Sequence, residues 1–220
     1  MTARRRKPGA VFHVETLLWQ LGHRCVAGID EVGMGPLAGP VVAAAVVFAP
    51  DTKIDGLADS KILTRKARQR LVACIVERAL GVGVGVVEVE DVDRLNVYRA
   101  GQEAMRRALS ALAPVAPDYL LVDGREVPRL GIPQSAYPKG DSFVASIAAA
   151  SIVAKERRDE IMRELGRSYP AYGFERHKGY CTASHLAALR EHGPSPAHRR
   201  SFAPVDAVDP RQLRLVGLLD

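Results

Sequence analysis

Residues 26–47 read VAGIDEVGMGPLAGPVVAAAVV, and this stretch decides the fold. Two adjacent carboxylates, Asp30 and Glu31, end a short apolar run. A bend follows with Gly33, Gly35, Pro36, Gly39 and Pro40, and a second apolar run then begins at Val41. Both runs are rich in β-branched residues, nearly free of charge and separated by turn formers, so they read as strands. The short connection favours an antiparallel pair. The G-x-G after the first run is a poor match to a dinucleotide loop, because that motif opens a helix and a strand comes next here. Acids at the end of a buried strand are costly unless paired or bound to metal. An isolated Asp-Glu pair is most often an exposed turn; apolar runs on both sides shift the balance toward a buried site.

Working outward, residues 12–21 form a short apolar helix. Thr64 is an N-cap for a basic amphipathic helix over 65–80, with Leu71, Ile75 and Val76 inward. Residues 81–90, GVGVGVVEVE, alternate glycine with valine and read as a strand whose glycine face permits close packing. Residues 91–96 and 97–112 are helical, and Pro114 and Pro117 break the chain. Residues 119–123, YLLVD, are a buried strand ending in an acid, and 132–138 are extended. A long helix is expected over 141–165, a loop over 170–179 and a last amphipathic helix over 182–191. The order predicts an α/β fold, a mixed sheet with helices on both faces.

The 220 residues suit one large domain, and 47% hydrophobic residues supply a sizeable core. A net charge of +6 points to a polyanionic partner. Cys25, Cys74 and Cys181 are far apart, with no C-x-x-C and no zinc spacing, so a reduced, cytoplasmic compartment fits best. No apolar run approaches the roughly 20 residues that span a bilayer, so no membrane is expected. The basic start, MTARRRKPG, lacks an apolar h-region and does not read as a secretory signal. Arg4, Arg5, Arg6 and Lys7 read as a solvated tail.

Four acids stand beside glycines at element ends: Asp30, Glu31, Asp123 and Asp141. Singly, each has a plain reading; Asp123 could open a turn with Gly124, and Asp141 could be an N-cap. Together they make a hard, oxygen-rich pocket suited to Mg2+ or Mn2+. Two such ions roughly 4 Å apart activate water and stabilise a leaving oxygen in phosphodiester cleavage. Adjacent residues of a regular strand point to opposite faces. Asp30 and Glu31 are therefore expected to share one site through a bend or strand end, which Gly33 and Gly35 would allow.

The sequence closely resembles bacterial ribonuclease HII, the type 2 ribonuclease H family. The resemblance rests on AGIDEVGMGPLAGPVVAAAV, DSKILT, LVDG, KGDSFVASIAAASIVAKERRD, HKGYCTASH and HRRSFAPV, which run in the family's order over residues 27–205. It implies a ribonuclease H-like fold: a central mixed five-stranded sheet flanked by helices, with a helical C-terminal extension. It divides the chain into a basic tail and short helix (1–24), a catalytic core (25–165) and a substrate-binding extension (166–220), all one compact unit. It implies two-metal-ion hydrolysis of the RNA strand of an RNA–DNA hybrid, and incision 5′ to single ribonucleotides embedded in duplex DNA. Asp30, Glu31, Asp123 and Asp141 match the metal-binding carboxylates. Gly33, Met34 and Gly35 match the loop that reads the ribose 2′-hydroxyl, and Tyr180 the tyrosine that stacks on the neighbouring sugar.

A 2′-hydroxyl is what separates RNA from DNA, and glycines let a backbone approach it closely. Lys61, Lys139, Lys155, Arg157, Arg158 and Lys178 are candidate phosphate contacts; Arg163 reads as a solvated helix face. His177 and His185 read as structural or phosphate-touching residues rather than metal ligands. The family usually has arginine where Met34 stands, so a cationic contact beside the phosphates is expected to be missing. The alternative is a non-catalytic or weakly active nucleic-acid-binding protein with junction recognition altered by Met34. A type 3 enzyme would need a folded domain before its first acid, and the 29 residues preceding Asp30 are expected to be too few. The family precedent is a monomer.

Overall fold

The computed structural model describes residues 9–208; the basic residues Arg4 to Lys7 and the end of the C-terminal extension, 209–220, lie outside the described residues. The strands are β1 (Val26–Val32), β2 (Val41–Phe48), β3 (Ala79–Val87), β4 (Tyr119–Asp123) and β5 (Gln134–Tyr137). They form one sheet in the order β3-β2-β1-β4-β5. β2 is antiparallel to both neighbours, as the short glycine-rich connection requires, while β4 is parallel to β1 and to β5. The helices are α1 (His13–Gln20), α2 (Arg65–Arg78), α3 (Val89–Leu95), α4 (Val97–Ser110), α5 (Ala145–Ser168), α6 (Phe174–His177), α7 (Ala183–His192) and α8 (Ala203–Asp206).

Strand periodicity sorts the core into two layers. From β2, Val42, Ala44, Val46 and Phe48 pack with α2 and α5 on one face. Val41, Ala43, Ala45 and Val47 pack with α4 on the other. Small residues set the layer spacing. A Cβ on Gly28 of β1 would lie 2.1 Å from the Ser146 carbonyl carbon of α5. One on Gly83 or Gly85 of β3 would lie 2.1 or 2.0 Å from a carbonyl oxygen of α4. The glycine face of β3 thus permits the close packing its alternation predicts. Glu15 of α1 is buried and accepts the Ser146 N–H at 2.6 Å, so α1 satisfies an otherwise open donor at the start of α5.

Several boundaries differ from expectation. α2 is N-capped by Thr64 as predicted but ends at Arg78, because Ala79 is already extended and starts β3. Val76 is exposed; Leu71 and Ile75 are the buried apolar residues of α2, with Val72 and Cys74 partly buried beside them. α3 starts at Val89, inside the segment expected to be strand, and α4 ends at Ser110. Asp141 does not open the long helix. It sits in a 3-10 turn, Gly140–Ser142, and the extended Val144 separates that turn from α5. Residues 170–179 contain a 3-10 turn, Pro170–Tyr172, and the short α6 rather than a plain loop. Among the described residues no helix is long and apolar enough to cross a membrane.

Candidate active site

β1 neither bends nor ends at its acids. Asp30 pairs with Ala44 and Glu31 with Ala43 of β2, and the pairing continues to Val32. The two carboxylates therefore leave opposite faces of one strand, contrary to the expected bend. They still act on common ground, because β4 stops beside them. The parallel register ends at Ile29 and Val122, so Asp123 comes next to Asp30. Asp141 enters from the turn before α5, and Gly140 brings it in: a Cβ there would lie 3.5 Å from Asp123 Oδ1 and 2.7 Å from Ile147.

The crowding shows in proton affinity. Burial, then the charges of Glu31 and Asp123, hold the Asp30 carboxyl well above the usual range, although a hydrogen bond to Ser151 works the other way. Burial and Asp123 push Glu31 up to about 7. Asp123 and Asp141 are both raised, chiefly by burial. Glu31 Oε2 and Asp123 Oδ1 are buried and accept no hydrogen bond. Orphaned anionic oxygens in a cluster lacking protons or cations are unfavourable, so this donor set suits a hard divalent ion. Among the described residues no three acid, histidine or cysteine side chains ring a single point closely enough for one ion. Lys61 supplies part of the missing positive charge, with Nζ 3.8 Å from Asp141 Oδ2 and 4.0 Å from Asp59 Oδ1. Burial opposes that charge, but the carboxylates of Asp59, Asp141, Asp30 and Asp123 together outweigh it and raise Lys61.

The glycine loop is held from beneath by two arginines that are fully buried. Arg199 donates from Nη2 to the carbonyls of Gly33 (2.6 Å) and Gly39 (2.8 Å), and from Nη1 to that of Met34 (3.2 Å). Arg158 donates to the carbonyls of Pro40, Lys178 and Ala38, each at 3.0 Å. Burial draws Arg158 down to about 10 and Arg199 down to about 9, which leaves both charged at neutral pH. Gly33 has φ +92°, and a Cβ on it would lie 2.3 Å from Arg158 Nε, so glycine is required. Gly35 is exposed with open space where a Cβ would stand. Met34 is half-buried; its thioether rests on α4 at Gly101 and walls a hollow of about 170 Å³ that Glu31, Tyr98 and Asp123 also line. Met34 therefore has a packing role beyond the absence of a cation.

Tyr180 is docked to the same loop. Gly179, one residue before it, accepts the Leu37 N–H at 2.8 Å and lies against the Ala38 carbonyl. Tyr180 itself is 47% exposed, so its ring is presented and not packed. A histidine chain steadies this turn. The Tyr180 carbonyl meets His185 Nδ1 at 2.9 Å, His185 Nε2 meets His198 Nε2 at 3.0 Å, and Ser195 N–H donates to His198 Nδ1 at 3.0 Å. A carbonyl can only accept, so His185 carries its proton on Nδ1 and His198 on Nε2. Burial pushes His198 down to about 3, keeping it neutral. His185 thus has both ring nitrogens engaged within the protein, and so has His177, whose Nε2 donates to the Tyr172 carbonyl at 2.7 Å while Nδ1 accepts the Gly179 N–H at 3.2 Å.

Of the expected phosphate contacts, Arg158 is buried beneath the loop, Lys155 is bound to Asp159 at 2.7 Å and Arg157 to Glu160 at 2.7 Å. Arg163 reaches Glu156 at 3.5 Å instead of standing free. Lys178 is half-buried, with Nζ on the Glu175 carbonyl. Lys139 is exposed in a left-handed conformation just before Gly140 and Asp141. Arg199 went unrecognised in the sequence. The sequence offered only an eight-residue connection, 33–40, rich in glycine and proline; that its carbonyls turn inward and need a many-pronged donor shows only in the fold.

The sequence model of the family described as Ribonuclease HII matches residues 27–205. The Ribonuclease HII of Myxococcus xanthus is 54% identical over 87% of this chain and 65% of its own length. That of Dechloromonas aromatica is 55% identical over 87% of this chain and 95% of its own. The crystal structure of ribonuclease H2 from Pyrococcus horikoshii superposes with a TM-score of 0.74 at 25% identity, covering 86% of this chain and 98% of that one. The chain belongs to the ribonuclease HII family and is an endoribonuclease of the ribonuclease H type.

Proposed function

We propose that this enzyme hydrolyses the RNA strand of RNA–DNA hybrids and incises 5′ to single ribonucleotides embedded in duplex DNA. What supports this most is the meeting, beside the end of β4 and within the last residues of β1, of four acids with raised proton affinities and a glycine loop clamped from below. Asp30, Glu31, Asp123 and Asp141 would hold Mg2+ or Mn2+, and a divalent ion bound there would supply charge stabilisation for the attacking and leaving oxygens. The water oxygen bonds to phosphorus, the bond from phosphorus to the 3′ oxygen breaks, and that oxygen gains a proton. The products carry 3′-hydroxyl and 5′-phosphate ends.

Arg199 fixes the loop's shape before substrate arrives, so Gly33, Met34 and Gly35 present preformed backbone groups to the 2′-hydroxyl. Tyr180 stacks on the next sugar, where a deoxyribose fits and a second 2′-hydroxyl crowds the ring. Lys61, Lys139 and Lys178 contact phosphates. Residues 25–165 form the catalytic core and 166–220 the substrate-binding extension. The protein works as a monomer in the cytoplasm, where Cys25, Cys74 and Cys181 stay as free thiols. The test is cleavage of a duplex with one ribonucleotide and of a continuous hybrid, in Mg2+, in Mn2+ and in chelator. A nick 5′ to the ribonucleotide, seen only with metal, is expected. Equal cleavage in chelator, or of all-DNA duplex, would overturn the proposal.

A further inference from the structure

A groove of about 680 Å³ lies beside the acid-lined hollow, along the flank of α4, and Gln102 lines both. Five arginines line the groove: Arg94, Arg99, Arg106, Arg107 and Arg129. Among the described residues only two carboxylates answer them. Asp91 pairs with Arg94 (2.7 Å) and Arg107 (3.2 Å), and Glu103 pairs with Arg107 (3.0 Å) and Arg106 (3.9 Å). Arg99 and Arg129 are exposed and make no ion pair among the described residues. The groove is also built rather than incidental. Arg106 Nη2 donates to the Pro128 carbonyl at 2.9 Å, tying the loop after β4 to α4. That tie holds Arg129, a non-glycine residue at φ 63°, opposite the helix.

We infer that this groove is a second duplex-binding surface, which takes the phosphodiester backbone of the duplex arm on the α4 side of the acids. The inference rests on the nucleic-acid reading of the acid cluster. Guanidinium forks match phosphate oxygens, and an excess of cations continuous with the cleavage point is what an extended polyanion requires. The acids repel phosphate, so cations flanking them are needed to hold the rest of the duplex.

The test is the double variant Arg99→Ala/Arg129→Asn. It removes two unpaired cations, spares the Arg106 and Arg107 ties, and keeps a residue at 129 that tolerates left-handed backbone. On a long ribonucleotide-containing duplex, KM should rise about tenfold with kcat unchanged. The slope of log K against log salt should become shallower by about one per lost contact. Shortening the duplex on one side of the incision should erase the difference; shortening it on the other should preserve it. Equal KM and equal slope for variant and wild type would overturn the groove. Binding of uncleavable all-DNA duplex, followed by fluorescence anisotropy, separates the two claims. A slope difference there without any cleavage by wild type would sink the proposed reaction and keep the groove. Arginine-dependent binding of polyglutamate, with no difference on duplex, would assign the groove to an acidic protein and overturn the inference.

Discussion

Arg199 Nη2 lies 2.6 Å from the carbonyl oxygen of Gly33, across 166 residues of sequence. The bond joins the C-terminal section to the loop beside the acids, and the same guanidinium reaches Met34 and Gly39. Replacing it with Arg199→Met keeps much of the volume but leaves buried carbonyls without donors. Each such loss costs about 1–3 kcal/mol. A total near 3 kcal/mol is expected, read as a lower urea midpoint. KM for the ribonucleotide duplex should rise in the folded fraction. Unchanged stability would mean that the loop keeps its own shape.

Glu31 gives the metal-free enzyme an unusual pH profile. Its folded value near 7 lies above its ordinary 4.5, so the native state holds a proton that the unfolded state has released between those values. In chelator, the part of the stability that Glu31 contributes should be complete below about pH 4.5, fall through that window by up to roughly 3 kcal/mol, and be gone above 7. Glu31→Gln should flatten the fall, and saturating Mg2+ should oppose it. Asp123→Asn should cut turnover by several orders of magnitude while leaving the fold intact. Urea melts across pH, and turnover for the Asp123 variant, check both statements.

His198 works with the opposite sign. Its folded value, about 3, lies below the ordinary 6.5, so the unfolded state takes up protons first as pH falls. The stability it contributes is complete above pH 6.5 and lost on the way down toward 3, by at most about 1.4 kcal/mol per pH unit. His198→Gln should make that acid limb shallower. If the limb is just as steep in the variant, the histidine chain is not what acid disrupts.

Met34→Arg tests the missing cation against the packing role. The thioether leaves its niche at Gly101, which should cost about 1 kcal/mol of stability. If a phosphate lies within reach, the salt slope steepens by about one and affinity rises at low salt, with turnover little changed. An unchanged slope with lower activity would show that Met34 serves only as a wall of the hollow.

The sheet was largely legible because β-strand periodicity is local: β2 alternates faces residue by residue, and the glycines of β3 announce its tight layer. Asp30, Glu31 and Asp123 stood out because apolar runs lead into them, and Asp141 because it follows a glycine at an element boundary. Asp141 was misplaced by a few residues, because a glycine and an acid before an alanine-rich segment look the same whether the helix starts at once or after a turn. Arg158 and Arg199 were not legible. Each sits among other charges in its own segment, and only the folded loop's carbonyls make burial favourable. The arginine groove was hidden for a similar reason, since Arg129 joins the α4 arginines only through the Pro128 contact.

The reach of Arg199 also orders events during synthesis. β1, β2 and β4 can pair once residue 123 has left the ribosome, but the bend between β1 and β2 lacks its clamp until residue 199 has left it too. A nascent chain halted before that point would carry its four acids on a formed sheet with an unsupported reading loop. On the proposed function, such a chain is expected to select a ribonucleotide duplex poorly until Arg199 has taken its place beneath the loop.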